Sequence, residues 1–424
     1  MNKLVLISLL ITSIFAQKNN WAVLVAGSSG YGNYRHQSDV FHAFHIMKRN
    51  GIDPSHIIVM AYDDIANHRR NPLKGRIFNR PNGEDVYGGV QIDYMGDDVT
   101  PDTFINVLTG NKDALRGVGN EKVLESDENS NVFIFYSDHG SPGLVAFPAG
   151  GHLNREQLKE AFDEMYSKKM YKKLIFYLES CYSGSMFNQY SGKWSGMGIY
   201  AVSAANPGES SYACYCGREA RVGGVMIGSC LGDLFSVSWM EHTDSVDPKT
   251  TTIGQQVDIV KARTLAGSNV CEYGDLSPRN QFIIEYQGDK LNHKSMKFLE
   301  YVKAYNKNHK RGLVRNLDAY LFYYRNLALH SNDPLDKFIY EEELKIAIRN
   351  QQIFQSFSER LNVPDELQTD TNFKCYESLI NAYAKKCGLN YDRDHGNLYV
   401  FYNYCAGGRE DLGVEAISEI CSEF

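Results

Sequence analysis

The sequence lacks the features that direct a chain to nucleic acid or hold it in a membrane. Among 424 residues, 44 Lys and Arg face 51 Asp and Glu, a net charge of -7, so no basic surface for nucleic acid is expected. Beyond residue 16 no apolar run reaches the roughly 18 residues of a membrane span. There is no Asn-x-Ser/Thr sequon, so N-glycosylation is not expected, and no Cys-x-x-Cys or His-Glu-x-x-His motif. We therefore predict no metal and no cofactor.

The first 16 residues have the pattern of a cleaved targeting segment. Lys3 supplies a positive start, residues 4–11 form a short apolar run, and Ala16 is a small residue at the expected cleavage point. The run is too short to cross a bilayer comfortably. We expect residues 1–16 to be a signal peptide and the mature protein to follow the secretory route.

The sequence has nine cysteines, an odd number. In an oxidising compartment at least one thiol then stays unpaired, and Cys181 is the natural candidate. Four others lie in the last 50 residues and predict a C-terminal unit held by disulfides: Cys375, Cys387, Cys405 and Cys421. Spacing alone allows three pairings of these four.

Two apolar runs end in chemically reactive residues. Residues 174–178 precede Cys181, and residues 132–136 precede His139 and Gly140. Each run is typical of a strand buried on both faces, and α/β proteins place their chemistry at the carboxyl edge of such strands. If the two strands are neighbours, thiol and imidazole meet as nucleophilic cysteine catalysis requires. The alternative is a buried cysteine and an unrelated histidine.

Buried-type strands alternate with helical segments up to about Gly288, which predicts an α/β fold with a mostly parallel sheet flanked by helices on both faces. The pattern then changes, because residues 313–329 and 340–361 have helical spacing and no clear strand follows. We expect an α/β domain at residues 17–289, an exposed linker at 290–312 and an all-α domain at 313–424.

Four motifs follow one another along the chain: Tyr34-Arg35-His36-Gln37, Asp138-His139-Gly140, Glu179-Ser180-Cys181-Tyr182-Ser183-Gly184 and Ala204-Ala205-Asn206-Pro207. In this order they resemble one family, the legumains or asparaginyl endopeptidases. The likeness runs from about Asn20 to Gly288 and returns in the four-cysteine tail. It implies a caspase-like fold with a C-terminal helical prodomain that caps the active site of a zymogen.

The resemblance assigns roles to the residues at the two strand ends. It implies Cys181 as nucleophile, His139 as its acid/base partner and Asn33 as the residue that orients the histidine. Backbone N–H groups of Gly140 and Cys181 would form the oxyanion hole. A thiolate beside an imidazolium has a lowered pKa, so we expect a nucleophilic thiol at acidic to neutral pH.

The family's primary specificity pocket reads asparagine, whose side chain offers both an acceptor and donors. The positions that match this pocket are Arg35, Glu179 and Asp233, with His36 and Ser211 as further matches. A pocket with one cation and several carboxylates can pair both ends of an amide. Aspartate should be accepted mainly when protonated, and therefore at low pH.

The resemblance also implies the remaining covalent and regulatory features. The tail cysteines would pair as Cys375–Cys405 and Cys387–Cys421, and Cys214 would be a buried free thiol. Cys216 and Cys230 flank an insertion and are either a further disulfide or two free buried thiols. Acid would trigger cleavage in the linker after Asn306 or Asn308, with Asn292 and Asn316 as less favoured sites.

The implied protein is a monomer that acts on proteins and peptides, is inhibited by its own prodomain and by cystatin-type inhibitors, and has a peptide ligase side activity. It would reside in a lysosome- or vacuole-like compartment or be secreted.

Two other functions share parts of this pattern. The catalytic subunit of the GPI-anchor transamidase shares Tyr-Arg-His and His-Gly, but usually has a C-terminal membrane span and lacks the four-cysteine tail. An inactive binding relative would have lost Cys181, His139 or Arg35, which are all present.

His36, His42 and His45 invite a metal interpretation, but their spacing is typical of a helix face. Tyr182 departs from the glutamate that animal members often have.

Overall fold

The computed structural model describes residues 19–288 and 312–424. The predicted signal peptide and the linker asparagines Asn292, Asn306 and Asn308 lie outside the described residues. The domain boundaries proposed from the sequence therefore stay predictions.

The strands and helices of the described residues are numbered in chain order. The strands are β1 (Trp21–Ala26), β2 (Ile57–Met60), β3 (Asn131–Ser137), β4 (Gly140–Ser141), β5 (Leu144–Ala146), β6 (His152–Asn154), β7 (Lys173–Glu179), β8 (Ile199–Ser203), β9 (Tyr212–Cys214), β10 (Arg221–Val222), β11 (Val225–Met226), β12 (Gly232–Asp233), β13 (Cys271–Gly274) and β14 (Val314–Arg315). The helices are α1 (Tyr34–Arg49), α2 (Pro101–Leu108), α3 (Arg155–Ser167), α4 (Ser191–Met197), α5 (Leu234–Ser245), α6 (Ile253–Thr264), α7 (Ile284–Gln287), α8 (Ala319–His330), α9 (Pro334–Leu361), α10 (Phe373–Cys387), α11 (Tyr391–Asp394), α12 (Tyr399–Tyr404) and α13 (Glu410–Glu423).

A six-stranded sheet organises residues 19–288, with strand order β13-β8-β7-β3-β1-β2. The five strands from β8 to β2 are parallel to their neighbours, and β13 adds antiparallel at one edge. Every residue of β1, β2 and β8 is buried, as expected for parallel strands covered on both faces. The predicted mostly parallel α/β sheet is confirmed.

Helices cover both faces of this sheet because side chains alternate along each strand. Phe133 and Phe135 of β3 pack with α1, α5 and α6, while Val132 and Ile134 pack with α2, α3 and α4. Local signals fix where these helices begin. The side chain of Asn154 accepts a hydrogen bond from Gln157 N, and the Gln157 side chain accepts one from Asn154 N, which is a capping box at the start of α3.

The C-terminal helices α9 to α13 have an apolar core of their own, in which Phe354 packs on Tyr383 and Phe401. Disulfides Cys375–Cys405 and Cys387–Cys421 hold α10 to the segments that follow it. Leu144 of β5 joins this core, so the helical region packs directly on the sheet region. Within the described ranges, no helix has the length and apolar character that crossing a membrane requires.

One local prediction was wrong. Residues 313–329 were expected to be helical, but Val314 and Arg315 form β14 and the helix begins only at Ala319. β14 pairs antiparallel with β9, which makes a three-stranded sheet of order β12-β9-β14. A two-residue strand is too short to show an alternating hydrophobic pattern. It forms only where the edge of another strand is available to pair with it.

Candidate active site

The ends of β3 and β7 bring His139 and Cys181 to the same edge of the sheet. The strands are parallel neighbours in which Ser137 pairs with Glu179, so the residues that follow them emerge side by side. A Cβ on Gly140 would lie 2.5 Å from the backbone oxygen of Cys181. Only glycine permits this contact between the two strand ends. The predicted adjacency of the two strands is confirmed.

The Cys181 thiol is buried among hydroxyl groups. Its Sγ lies 3.4 Å from Ser210 Oγ and 3.9 Å from Ser211 Oγ. Burial raises the pKa of the thiol to about 11, which the serine hydroxyls only partly offset. The thiol is therefore protonated in this state.

His139 contacts Asn33, the residue that the resemblance assigns to orienting it. Its Nε2 lies 3.0 Å from Asn33 Oδ1, and Asn33 Nδ2 donates to Ser29 O at 2.9 Å. Within the described part of the chain, His139 Nδ1 has no hydrogen-bond partner and no hydrogen bond joins the ring to the Cys181 thiol. Burial lowers the pKa of His139 well below its usual range, so the imidazole is neutral.

The expected thiolate–imidazolium pair is therefore not the state of this structure. The physical reason is burial: residues of the C-terminal helices cover His139, and Cys181 lies beside the Asn316 segment. His395 stacks on the His139 ring with 4.3 Å between centroids, and Asp392 Oδ1 lies 3.5 Å from His139 Nε2. The Ser141 hydroxyl donates to the His395 carbonyl and ties this cover to β4. Sequence reasoning missed Asp392 and His395, whose only signal was a cluster of charged residues between Cys387 and Cys405.

The side chain of Asn316 occupies a buried pocket beside Cys181. Its Oδ1 accepts a hydrogen bond from Arg35 Nε at 3.1 Å. Its Nδ2 donates to Asp233 Oδ1 at 2.9 Å and to Ser211 Oγ at 2.8 Å. Both ends of the amide are thus paired with groups of opposite hydrogen-bonding character.

The backbone around Asn316 lies along β9 like an added strand. β14 pairs with β9, and Asn316 N donates to Ser211 O at 2.9 Å. The next amide, Leu317 N, lies 3.4 Å from Ser210 Oγ, the hydroxyl that also contacts the Cys181 thiol. The Asn316–Leu317 peptide bond therefore lies next to the nucleophile candidate.

Of the predicted pocket residues, three contact Asn316 and two lie behind them. Arg35, Asp233 and Ser211 are in contact, and the Arg35–Asp233 ion pair is almost completely buried. Glu179 instead accepts from Ser236 N and Ser236 Oγ, both at 3.0 Å, and burial raises its pKa to about 8.

His36 lies at the back of the same pocket. It contacts Ser28 Oγ at 2.6 Å, Asp138 Oδ1 at 3.1 Å and Asp233 Oδ2 at 3.6 Å. Sequence reasoning overlooked Asp39, which lies one turn after Arg35 on α1 and contacts the backbone of Asp233. A helical spacing of four residues from Arg35 was the available signal.

Of the two alternatives that the sequence left open for Cys216 and Cys230, the structure contains the disulfide. Cys216 and Cys230 form a disulfide, which packs against Val314 of β14. Cys214 is a buried free thiol and Cys271 a half-exposed one. The insertion between Cys216 and Cys230 is thus closed against the segment that fills the pocket.

The three histidines considered for a metal do not gather at one place. His42 contacts Asn79 and Asp244, and His45 contacts the carbonyl of Val86. His36, Asp138 and His139 do have ligand-type atoms within 4.8 Å of one another. That group includes the histidine already assigned to the cysteine.

A buried thiol beside a peptide bond, with the preceding side chain held in a complementary pocket, is the arrangement of a cysteine peptidase. The sequence profile of the Peptidase C13 family matches residues 20–289. The chain belongs to the peptidase C13 family and is a cysteine peptidase.

Named relatives of the chain support the same family. The chain is 36% identical to the vacuolar-processing enzyme delta-isozyme of Arabidopsis thaliana, over 96% of this chain and 91% of that protein. It is 46% identical to legumain of Mus musculus and 45% identical to legumain of Homo sapiens, in each case over 64% of this chain and 60% of the relative. The match to the legumains thus spans about three fifths of their length. These values support a legumain-type protein.

Proposed function

We propose that this protein is an endopeptidase that cleaves after asparagine and is made as an inactive zymogen. The observation that carries the proposal is Asn316, whose amide is paired at both ends by Arg35, Asp233 and Ser211. A buried site built to hydrogen-bond a substrate amide discriminates strongly against side chains that leave its polar groups unpaired. The chain carries, in its own sequence, a copy of the preferred residue.

The catalytic step follows from the two strand ends. His139 removes the proton of the Cys181 thiol. Cys181 Sγ then attacks the backbone carbonyl carbon of the asparagine whose side chain is bound in the pocket. Backbone N–H groups of Gly140 and Cys181 would stabilise the resulting oxyanion. His139 then donates its proton to the leaving amine as the C–N bond breaks, which leaves a thioester on Cys181. Water hydrolyses the thioester and restores the thiol, whereas an amine in place of water would give the peptide ligase side activity.

The same pocket explains a preference for asparagine over aspartate. An ionised aspartate would place a carboxylate oxygen against Asp233 Oδ1, where the asparagine Nδ2 now donates at 2.9 Å. Two carboxylates at that distance, buried, repel each other strongly. Aspartate would therefore be cleaved mainly in its protonated form, at low pH.

The position of Asn316 also suggests the activation event. Cleavage of the Asn316–Leu317 bond would separate residues 317–424, which carry Asp392 and His395, from the peptidase region. Asn316 is therefore our first choice, although the sequence favoured Asn306 and Asn308, which lie outside the described residues and remain further candidates. Until cleavage, the C-terminal helices act as an intramolecular inhibitor.

The setting of this activity is proposed from the relatives and the chemistry. A relative named vacuolar-processing enzyme, the predicted signal peptide and an acid-triggered zymogen are consistent with a vacuole- or lysosome-like compartment or with secretion. Protein and peptide substrates follow from the family. Cystatin-type inhibitors are expected partners, and the active form is proposed to be a monomer.

The test acidifies the purified full chain and adds peptides that differ only in the residue before the scissile bond. We expect cleavage after Asn, self-cleavage after Asn316, and loss of both in Cys181→Ala. Cys271→Ala is the matched control, because it removes a free thiol that lies away from the pocket. Activity in Cys181→Ala would refute the nucleophile, and sequencing of the new C-terminus identifies the cut.

A further inference from the structure

Asp39 lies directly beneath the specificity pocket and is completely buried. Its carboxyl accepts hydrogen bonds from Asn79 Nδ2 at 2.6 Å, from Asp233 N at 3.2 Å and from Ser137 Oγ at 3.2 Å. It does not touch Asn316. Its position makes it a support for Asp233, the residue that receives the substrate amide.

The pocket holds more acidic groups than its one permanent cation can balance. Asp39, Asp233 and Glu179 are all fully buried, and Arg35 pairs with only one of them, Asp233. His36, the other basic group here, lies 3.6 Å from Asp233 and is neutral, because burial holds its pKa well below the usual range. Since an uncompensated buried charge is very costly, the three carboxyl groups cannot all be ionised.

The hydrogen bonds of Asp233 indicate where a proton resides. Its Oδ1 faces Arg35 Nε and Asn316 Nδ2. Its Oδ2 receives no hydrogen bond from any amide, hydroxyl or guanidinium group in the described chain. The side chain of Asp39 is within hydrogen-bonding reach of the Asp233 carboxylate, and burial together with the Asp233 charge raises the pKa of Asp39 well above its usual range. A protonated Asp39 supplies the missing donor.

We propose that Asp39 is a specificity-determining positioning residue, which as a carboxylic acid donates a hydrogen bond to Asp233 and so keeps Asp233 charged and aimed at the substrate amide. This inference rests on the proposed asparagine specificity. Asp39 then acts through Asp233 and contacts no substrate atom. Its role is to make the pocket reject a second carboxylate.

Groups behind Asp39 hold it in this orientation. Asn79 Oδ1 lies 2.7 Å from His42 Nδ1, and His42 Nε2 lies 2.9 Å from Asp244 Oδ2. A Cβ on Gly232 would lie 2.8 Å from Asn79 Nδ2 and 3.0 Å from Asp39 Oδ1, so the chain passes directly over this pair. The carboxyl group cannot rotate away from Asp233 without breaking these contacts.

Two substitutions separate donation from charge. Asp39→Asn keeps Oδ1, which accepts from Asn79 Nδ2 at 2.6 Å and lies 3.4 Å from Asp233 N, and it offers an N–H donor to the Asp233 carboxylate in place of the acid proton. Asp39→Leu has a similar volume and no donor. We expect Asp39→Leu to lower the ratio of kcat/KM for Asn over Asp peptides about tenfold or more, since a hydrogen bond to a charged group is lost. We expect Asp39→Asn to restore most of that ratio.

The experiment measures the ratio of kcat/KM for Asn over Asp peptides in each Asp39 variant, on the acidified full chain. Asp93→Ala is the matched control. Asp93 is also buried and accepts from Val59 N, but it lies away from the pocket, so its loss should leave the ratio unchanged. An Asp39→Asn ratio reduced about tenfold would overturn the inference, and this readout decides even where Asp39→Leu fails to fold. Wild-type protein that cleaves neither peptide would instead refute the proposed function itself.

Discussion

The ring of His395 stacks on the ring of His139, with 4.3 Å between centroids and an angle of 29° between planes. His36 meets the His139 ring edge-on, with 5.0 Å between centroids. One histidine from the C-terminal helices thus completes a group of three buried imidazoles. Burial lowers the pKa of all three, and for His395 the pKa falls from 6.5 to about 4.

A lowered histidine pKa should make the closed state of the proposed zymogen less stable in acid. Between about pH 6.5 and 4 the exposed His395 binds a proton that the closed state does not, so closure loses stability as pH falls through this window. Asp392 acts in the opposite direction, because burial raises its pKa to about 6 and its protonation favours closure between about 6 and 3.8. Arg35, Asp138 and Asp233 are further charged or titratable groups near these rings.

The variant His395→Phe keeps the stacked ring and removes its proton. We expect self-cleavage of this variant to require a pH lower by roughly 0.5 to 1 unit than the wild type. The measurement is the rate of self-cleavage across pH 3.5 to 7 as followed on gels. His330→Phe, on the exposed end of α8, is the control and should leave the profile unchanged. An unshifted His395→Phe profile would show that His395 does not sense acid.

The variant Asn316→Asp tests the pocket from within the chain. The two side chains have nearly the same shape, but the ionised carboxylate of the variant faces Asp233 where the Asn316 amide now donates at 2.9 Å. We expect cleavage after residue 316 to slow by at least about tenfold near pH 6 and to recover in stronger acid, as the new carboxyl is protonated. Mass spectrometry of the products measures this. Equal rates at pH 6 would contradict the proposed recognition of the amide.

The salt bridge between Arg155 and Asp370 joins the peptidase region to the C-terminal helices. Arg155 is buried, its Nη2 lies 2.9 Å from Asp370 Oδ1, and its guanidinium lies over the Phe373 ring at 4.4 Å. Asp370 itself is largely exposed, so Asp370→Ala should weaken closure by only about 1 kcal/mol. Self-cleavage at a fixed pH should then be roughly fivefold faster. Asp365 is an exposed acid on the same segment, so Asp365→Ala should leave the rate of self-cleavage unchanged. Equally faster self-cleavage in that control would show that the Arg155–Asp370 salt bridge is not the cause.

The disulfide between Cys375 and Cys405 joins residues 30 positions apart in the C-terminal helices. Replacing both by alanine should lower the free energy of unfolding of this region by about 3 to 4 kcal/mol, since the unfolded chain regains loop entropy. Denaturant unfolding in a Cys181→Ala background, which prevents self-cleavage, measures this. Cys271→Ala serves as the control. If the free energy of unfolding changed by less than about 1 kcal/mol, the apolar core around Phe354 and Phe401 would be enough to hold this region folded without the disulfide.

Much of the site could be predicted because the residues proposed as catalytic follow buried strands. The apolar runs before His139 and Cys181 predict two strands, and parallel pairing brings their ends together. The motif around Arg35 predicted a pocket, and Asp233 and Ser211 lie there in contact with Asn316. The physical reason is that the local hydrophobic pattern of the sequence predicts both which strands are buried and where each strand ends.

Other features depended on contacts between distant parts of the chain. Asn316 bonds to Arg35 across 281 residues, and β14 exists only because β9 presents an open edge to it. The pKa directions of Cys181 and His139 were opposite to the active pair expected from their chemistry, because both groups are buried in the folded chain. No local pattern encodes the burial that a distant segment imposes.

The sequence by itself determined the sheet, the order of its strands along the chain and the two residues proposed to perform the chemistry, because each follows from local pattern and strand-end position. Only the tertiary structure decided that Asn316 fills the pocket, that Asp39 lies beneath Asp233, and that the Cys181 thiol is kept protonated. Those three facts follow from desolvation and hydrogen bonding between segments far apart in the chain, which only the folded molecule brings together.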